Sequence, residues 1–370
     1  MKNILKTLIL SVLTLFIIAG YFSCKTKPHE ITLQGNKLHG IGRAMPDDTL
    51  GLELISSAAH TSFSFEGTSC LVRMASGSAN THSYVQYELD GQYMGRFVVN
   101  GSGDSLLLEA KSEGAHTVIL YKATEAHSGP LFIQSVRGVN VTALKPENPL
   151  KIEIIGNSIT CGAAADTSQV KCGQGEYHDQ HNAYMAYGPR MARALGMEYM
   201  LSSVSGIGIY RTWNMESPDM PMVYESLDFR EDGQRKFDFS SFSPDIVCIA
   251  LGTNDFSNGD GVNKRPPFDL DFFTAEYVRF VKQVKSHYPG AKLVLLNSPM
   301  VQGEKNDIFL SCLQQVKDVI EAQYPQGHKI EIFTFQPMAA GGCTGHPSVE
   351  DHKLLADQLT PFISNLISIN

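Results

Sequence analysis

The sequence predicts two domains: an all-β sandwich over residues 31–144, then an α/β domain over residues 151–370 whose parallel sheet is covered on both faces. Three observations carry this. From Ile31 to Leu144 the apolar residues alternate in short segments separated by glycine-rich turns, with no helical period. After Lys151, continuous apolar runs of strand length alternate with stretches whose apolar residues recur every three or four positions, the pattern of parallel strands between helices. Between the two halves, Lys145-Pro-Glu-Asn-Pro149 reads as a linker, because two prolines interrupt regular pairing. The chain has 370 residues, 43% of them apolar and 18% charged, which excludes disorder, a collagen repeat and a coiled coil.

The chain starts with an export signal over residues 1–23. Lys2 and Lys6 precede an apolar run from Leu8 to Ile18, followed by Ala19 and Gly20. The run is shorter than the roughly 20 apolar residues of a spanning helix. The Ser23-Cys24 step resembles a bacterial lipoprotein cleavage site, which makes Cys24 the candidate lipidated residue and the cell envelope, or secretion, the expected location. Removal of the segment takes two lysines and no acid, moving the formal charge from −8 to −10. An acidic chain argues against nucleic acid as partner, since phosphate backbones attract basic faces.

In the first half, Phe63 and Phe65 share one strand face, and Tyr84–Leu89, Asp90-Gly91 and Tyr93–Val99 form a hairpin around a tight turn. His116–Tyr121 and Leu131–Val136 continue the series. In the second half, Ile152–Ile155, Glu198–Val204, Asp245–Leu251, Ala291–Leu296 and Lys329–Phe335 read as strands. Residues 182–195 read as helical. So do the stretches bearing Phe273, Tyr277, Phe280 and Val284, then Phe309, Cys312, Val316 and Ile320, then Leu355, Leu359, Phe362 and Leu366.

Parallel sheets bind ligands beyond the carboxyl ends of their strands, so the chemistry is sought there. The first strand ends in Gly156-Asn-Ser-Ile-Thr160, the second in Ser203-Val-Ser-Gly-Ile-Gly208 and the third in Leu251-Gly-Thr-Asn-Asp255. Gly342-Cys-Thr-Gly-His-Pro-Ser348 precedes the last helix. Ser158, starting a helix after a buried strand, is a candidate nucleophile; its hydroxyl needs a base, and His346 is the candidate. The backbone N–H groups of Ser158 and Gly206 and the side-chain amide of Asn254 are candidate oxyanion donors. Singly, a serine here is a helix cap and the glycines are turns. Together, at successive strand ends, they point to one site.

These four blocks resemble the SGNH (GDSL-type) hydrolases, covering residues 151–367 in the order Ser, Gly, Asn, His. The G-x-S-x-G elbow of the α/β-hydrolases is absent around Ser158. The resemblance implies a flavodoxin-like, three-layer catalytic domain. The first half sharpens it. Gly42-Arg43, Val85-Gln-Tyr-Glu-Leu-Asp-Gly91 and Ala115–Lys122 followed by Glu125 look like the jelly-roll module of carbohydrate esterase family 2. Ser203–Gly208 and Met220-Pro-Met-Val-Tyr224 look like its catalytic domain. The implied activity is removal of O-acetyl groups from plant polysaccharide through an acyl-enzyme, with no cofactor. An SGNH lipase or thioesterase, and a non-catalytic glycan-binding lipoprotein, are the rival readings. The family usually places Asp three residues before its histidine; here that residue is Cys343. A Ser–His dyad is therefore expected, with the carbonyl of Cys343 or Thr344 holding the imidazole N–H. Tyr210 and Trp213 follow the second block, and either stack on a sugar or pack in the core.

Seven cysteines in an exported chain raise the question of pairing. Cys70, Cys248 and Cys312 lie on apolar faces and read as core residues. Cys161 and Cys172 flank a glycine- and alanine-rich loop and are the candidate disulfide, leaving Cys343 over near His346. A zinc set of Cys161, Cys172, His178 and His181 is disfavoured by its long cysteine spacing and the lack of C-x-x-C, so no metal is expected. The Tyr177-His-Asp-Gln-His181 run reads instead as a loop shaping the rim of the site.

Overall fold

A computed structural model describes residues 29–77, 82–101, 103–145, 147, 149–262 and 264–368. The segment 1–23 expected to be an export signal, and Cys24, lie outside the described residues.

The first ten strands are β1 (Glu30–Gln34), β2 (Gly40–Ile41), β3 (Ala44–Asp47), β4 (Gly51–Leu54) and β5 (His60–Ser76), then β6 (His82–Leu89), β7 (Gln92–Asn100), β8 (Asp104–Glu109), β9 (Ala115–Lys122) and β10 (Leu131–Ala143). All pair antiparallel, in one connected network ordered β3-β4-β10-β5-β9-β6-β7, with β1 on β10 and β2 and β8 on β5. The long β5 changes neighbours along its length. Its first half pairs with β9 and its second half with β8, while β10 follows its other edge with register shifts at two bulged places and one more irregularity. This switch folds the network over a single core that includes Phe63, Phe65, Val72, Val85, Leu120 and Ile133. The predicted hairpin is present: Asp90 and Gly91 have φ of 51° and 75°, the pair of positive values a two-residue turn between twisted strands requires.

The second domain holds β11 (Lys151–Gly156), β12 (Glu198–Ser203), β13 (Ile246–Ala250), β14 (Lys292–Leu296) and β15 (Glu331–Phe333), all parallel, in the order β12-β11-β13-β14-β15. This is the flavodoxin-like order, whose switch point lies beside the first strand. Alternate residues serve opposite faces. Ile155, Val247, Ile249, Leu293 and Leu295 pack with Phe273 and Phe280 of α4 (Leu270–His287) and Phe309 of α5 (Glu304–Gln323), counting α1 (Ser158–Cys161), α2 (Tyr187–Ala194) and α3 (Met220–Val223) before them. Ile152, Ile154, Cys248, Val294 and Leu296 pack with Met191 of α2 and Leu355, Leu359 and Ile363 of α6 (Val349–Ser368). The helix expected over 182–195 is shorter than expected. Asn182 caps a single 3-10 turn, Ala186 is extended, and α2 starts at Tyr187, which leaves Pro189 in the first turn, where its missing N–H costs no helical bond. Cys70, Cys248 and Cys312 are buried free thiols. Among the described residues no helix is long and apolar enough to cross a membrane.

The two domains share buried polar contacts. The Arg43 guanidinium, fully buried, donates to the Ser226 and Tyr224 carbonyls at 2.6 and 2.7 Å and lies over the Phe229 and Phe237 rings. His60 Nε2 lies 2.8 Å from Glu198 Oε1.

Candidate active site

The strand β11 delivers Ser158 as the first residue of the one-turn helix α1. Asn157 caps this helix, its side-chain oxygen accepting from the Ile159 N–H at 3.1 Å. Gly156 is required by packing: a Cβ there would lie 2.1 Å from the Thr160 hydroxyl. Ser158 itself is 7% exposed.

His346 arrives from 188 residues away in sequence, and its Nε2 lies 2.9 Å from Ser158 Oγ. Its Nδ1 lies 3.3 Å from the Cys343 carbonyl and 3.0 Å from Thr344 Oγ1. A carbonyl can only accept, so Nδ1 carries the proton and the Nε2 lone pair is turned towards the serine. Burial pushes the His346 pKa below the ordinary histidine value; the backbone bonds from Cys343 and Thr344 oppose this in part. The imidazole is therefore neutral near pH 7, the form that can take a proton.

The loop carrying His346 is pinned by the Cys172–Cys343 disulfide, and the Cys343 N–H donates to Ala164 O at 2.8 Å. This corrects the expected Cys161–Cys172 bridge. Cys161 closes α1 on its buried side, where its thiol approaches Ser203 Oγ at 3.2 Å and burial raises its pKa. Cys172 sits on the exposed far part of the following loop, which folds across to the histidine loop. Asp351, close in sequence, is occupied elsewhere: its Oδ2 accepts from the N–H groups of Gly341 and Ser348.

Gly206 and Asn254 follow β12 and β13 and line, with Ser158 and His346, a cleft of about 560 Å³. Gly206 has φ of +79°, and a Cβ on it would lie 2.8 Å from Trp213 Cδ1, so both conformation and space demand glycine. The Trp213 N–H donates to Gly206 O at 2.8 Å. Asn254 Nδ2 donates one hydrogen to the Ile207 carbonyl at 2.7 Å, leaving its second for the cleft. Trp213 is 43% exposed and lines the cleft. Tyr210 is the other case: 8% exposed, it packs among Phe268, Phe272 and Phe273 and accepts from the Asp269 N–H, so it is a core residue.

Of the Tyr177–His181 run only Tyr177 lines the cleft, its Oη 3.5 Å from His346 Nε2 and 3.4 Å from Ser205 Oγ, while Asp179, Gln180 and His181 are buried. The zinc set is not gathered, since Cys172 is in the disulfide and His181 lies against Glu125. His82, His178 and Asp179 do converge. Their polar atoms engage one another: His82 donates to Asp179, His178 Nε2 lies 3.1 Å from the His82 carbonyl, and the Tyr84 hydroxyl donates to Asp179 at 3.0 Å.

Sequence reasoning missed Asp255 and Glu125 as parts of the site. Asp255 is fully buried behind Asn254 and accepts from the Ile209 and Tyr210 N–H groups at 3.0 Å; burial outweighs these bonds and pushes its pKa up to about 7. Glu125 lies in the first domain yet accepts from the Ser205 N–H at 2.7 Å. The signal available for Asp255 was an acid directly after the glycine-containing end of the third strand; for Glu125 it was an acid just past a strand end in the first domain.

Two family models match the chain: the carbohydrate esterase 2 N-terminal module over residues 40–146, and the GDSL-like lipase/acylhydrolase family over residues 154–353. The sequence is 32% identical over 260 residues to an acetylxylan esterase/glucomannan deacetylase of Cellvibrio japonicus, covering 68% of this chain and 70% of that protein. It is 30% identical over 334 residues to the cellulase/esterase CelE of Acetivibrio thermocellus, covering 88% of this chain and 39% of that protein. The fold superposes on a family two carbohydrate esterase from Clostridium thermocellum in complex with cellohexaose, with a TM-score of 0.77 at 27% identity, over 91% of this chain and 99% of that one.

Proposed function

Because this chain belongs to the SGNH, GDSL-like carbohydrate esterases of family 2 and is a carboxylic ester hydrolase, we propose that it removes O-acetyl groups from plant polysaccharide or its oligosaccharides by a Ser158–His346 dyad. The observation that carries this reading is the 2.9 Å contact between Ser158 Oγ and a half-buried, neutral His346, set in an open cleft beside Gly206 and Asn254. The names of the relatives support the substrate class, and cellohexaose in a structural neighbour supports a glycan in the cleft.

In this mechanism Ser158 Oγ attacks the acetyl carbonyl while His346 Nε2 takes its proton. The Ser158 and Gly206 N–H groups and the free Asn254 amide hydrogen receive the negative charge that develops on the carbonyl oxygen. His346 then gives its proton to the departing sugar oxygen, leaving acetyl-Ser158. Water, deprotonated by the same nitrogen, attacks the acyl-enzyme; acetate leaves and the serine regains its proton. The Cys343 carbonyl does for the imidazole what a carboxylate does in a triad: it fixes the tautomer and ring angle. It adds less charge stabilisation for the imidazolium. Export and lipidation at Cys24 fit a polymeric substrate that does not enter the cell, and the acidic chain fits a neutral one.

The test is acetate release from acetylated xylan and glucomannan beside hydrolysis of p-nitrophenyl acetate, butyrate and longer esters. Acetate release with a preference for the acetyl ester is expected. A preference for long chains would make the protein a lipase or thioesterase, and no turnover of any ester would leave the glycan-binding reading.

A further inference from the structure

Gly206 carries its N–H in the peptide unit that joins it to Ser205, and the peptide units on both sides of that one are hydrogen-bonded in place. On one side the Gly206 carbonyl accepts from the Trp213 N–H at 2.8 Å. On the other the Ser205 N–H donates to Glu125 Oε2 at 2.7 Å. Glu125 is not part of the α/β domain: it follows β9, at the end of the β-domain strand that enters the interface. It is 4% exposed, and its surroundings are built around a carboxylate. His181 Nε2 lies 3.5 Å from Oε1, and the Cys161 thiol lies 3.7 Å from Oε2. Burial alone would raise its pKa; the bonds from His181 and Ser205 outweigh burial and hold it at about 2.

The turn that presents Glu125 is fixed from beneath. Lys122, fully buried, donates from Nζ to the carbonyls of Thr124 and Glu125 at 2.9 and 2.6 Å and to the Thr124 hydroxyl at 2.9 Å. From above, the Tyr177 ring lies edge-on to His181, 4.7 Å between centroids, and reaches His346 with its hydroxyl. A buried carboxylate is costly unless it is fully hydrogen-bonded. This one is placed where its strongest bond ends one residue from the oxyanion donor.

We infer that Glu125 is a positioning residue of the esterase site, supplied by the β domain, which aims the Gly206 N–H at the developing oxyanion by holding the Ser205 N–H. On this account the β domain completes the reaction centre of its neighbour. The inference rests on the esterase reading above, and deepens it.

The experiment compares full-length Glu125→Gln, Glu125→Asp and Glu125→Ala with the unaltered enzyme and with Ser158→Ala, on p-nitrophenyl acetate and acetylated xylo-oligosaccharide. An amide oxygen can still accept from Ser205, so Glu125→Gln keeps kcat within about fivefold. Glu125→Ala loses the anchor; a donor misplaced by about 1 Å costs on the order of 10²-fold, read in kcat with KM changed less than about twofold. Glu125→Asp, which keeps the charge but is one methylene too short, falls between them and serves if the alanine variant does not fold. Equal losses in the glutamine and alanine variants, a change in KM alone, or kcat within about threefold in both Glu125→Ala and Glu125→Asp would overturn the inference alone, provided Ser158→Ala is inactive. Activity retained in Ser158→Ala would overturn the esterase reading and this inference with it.

Discussion

The disulfide is the covalent strut of the histidine loop, and its removal has consequences that can be sized. Cys172 and Cys343 are 171 residues apart, so the bridge closes a loop that contains most of the α/β domain. The chain-entropy relation puts the loss of that constraint from the unfolded chain at about 5 kcal/mol, and measured values for native bridges cluster at roughly 2–4 kcal/mol. Cys172→Ser with Cys343→Ser should therefore lower the denaturation midpoint by an amount worth about 2–4 kcal/mol. Activity should fall as well. Cys343 supplies the carbonyl that orients His346, and its backbone is otherwise tied through its bond to Ala164 and the turn back to His346. Those backbone bonds survive the substitution, so the expected loss in kcat is about tenfold, below the roughly 10²-fold of a 1 Å displacement. The assay is guanidinium denaturation with and without reductant, beside acetyl ester turnover. Unchanged kcat together with a stability loss under about 1 kcal/mol would refute the claim that this bridge supports the site.

Two further outcomes follow from the same geometry. Burial holds the His346 pKa below the ordinary 6.5, and the base works only when neutral, so activity is full above that pKa and lost as pH falls through it; the acid limb of kcat/KM should therefore lie below pH 6.5, and a limb at or above it would contradict the burial argument. Trp213→Ala removes an aromatic face from the cleft but not the N–H that holds Gly206, so kcat/KM on acetylated oligosaccharide should fall about tenfold while that on p-nitrophenyl acetate changes less than about threefold; equal losses on both would assign Trp213 to packing.

How far the sequence discloses this molecule depends on whether a signal is local. The strands β11, β12 and β13 are legible because each is an apolar run followed within three residues by glycine, and those same glycines mark the places where Ser158, Gly206 and Asn254 stand. Gly206 is legible as the glycine just past β12, and the structure gives the reason for it, the positive φ that glycine tolerates. The disulfide is not legible in this way. Cys161 is nearer to Cys172 along the chain, but α1 turns it inward, while the partner of Cys172 comes from the loop before α6. Tyr210 illustrates the same limit. Its neighbours Phe268, Phe272 and Phe273 are supplied some sixty residues later, and nothing beside Tyr210 tells which way its ring turns. Glu125 belongs to one domain and touches the other, so its contact with Ser205 exists only once both have folded together.

The central claim, that Ser158 is acylated with His346 as its base, is tested most directly by mass spectrometry of enzyme quenched in acid during turnover of an acetyl ester. The account predicts one acetyl group on the peptide containing Ser158, absent in Ser158→Ala and strongly diminished in His346→Ala. An acetyl group on another residue, or turnover that proceeds undiminished in Ser158→Ala with no acetylated peptide at any quench time, would contradict it.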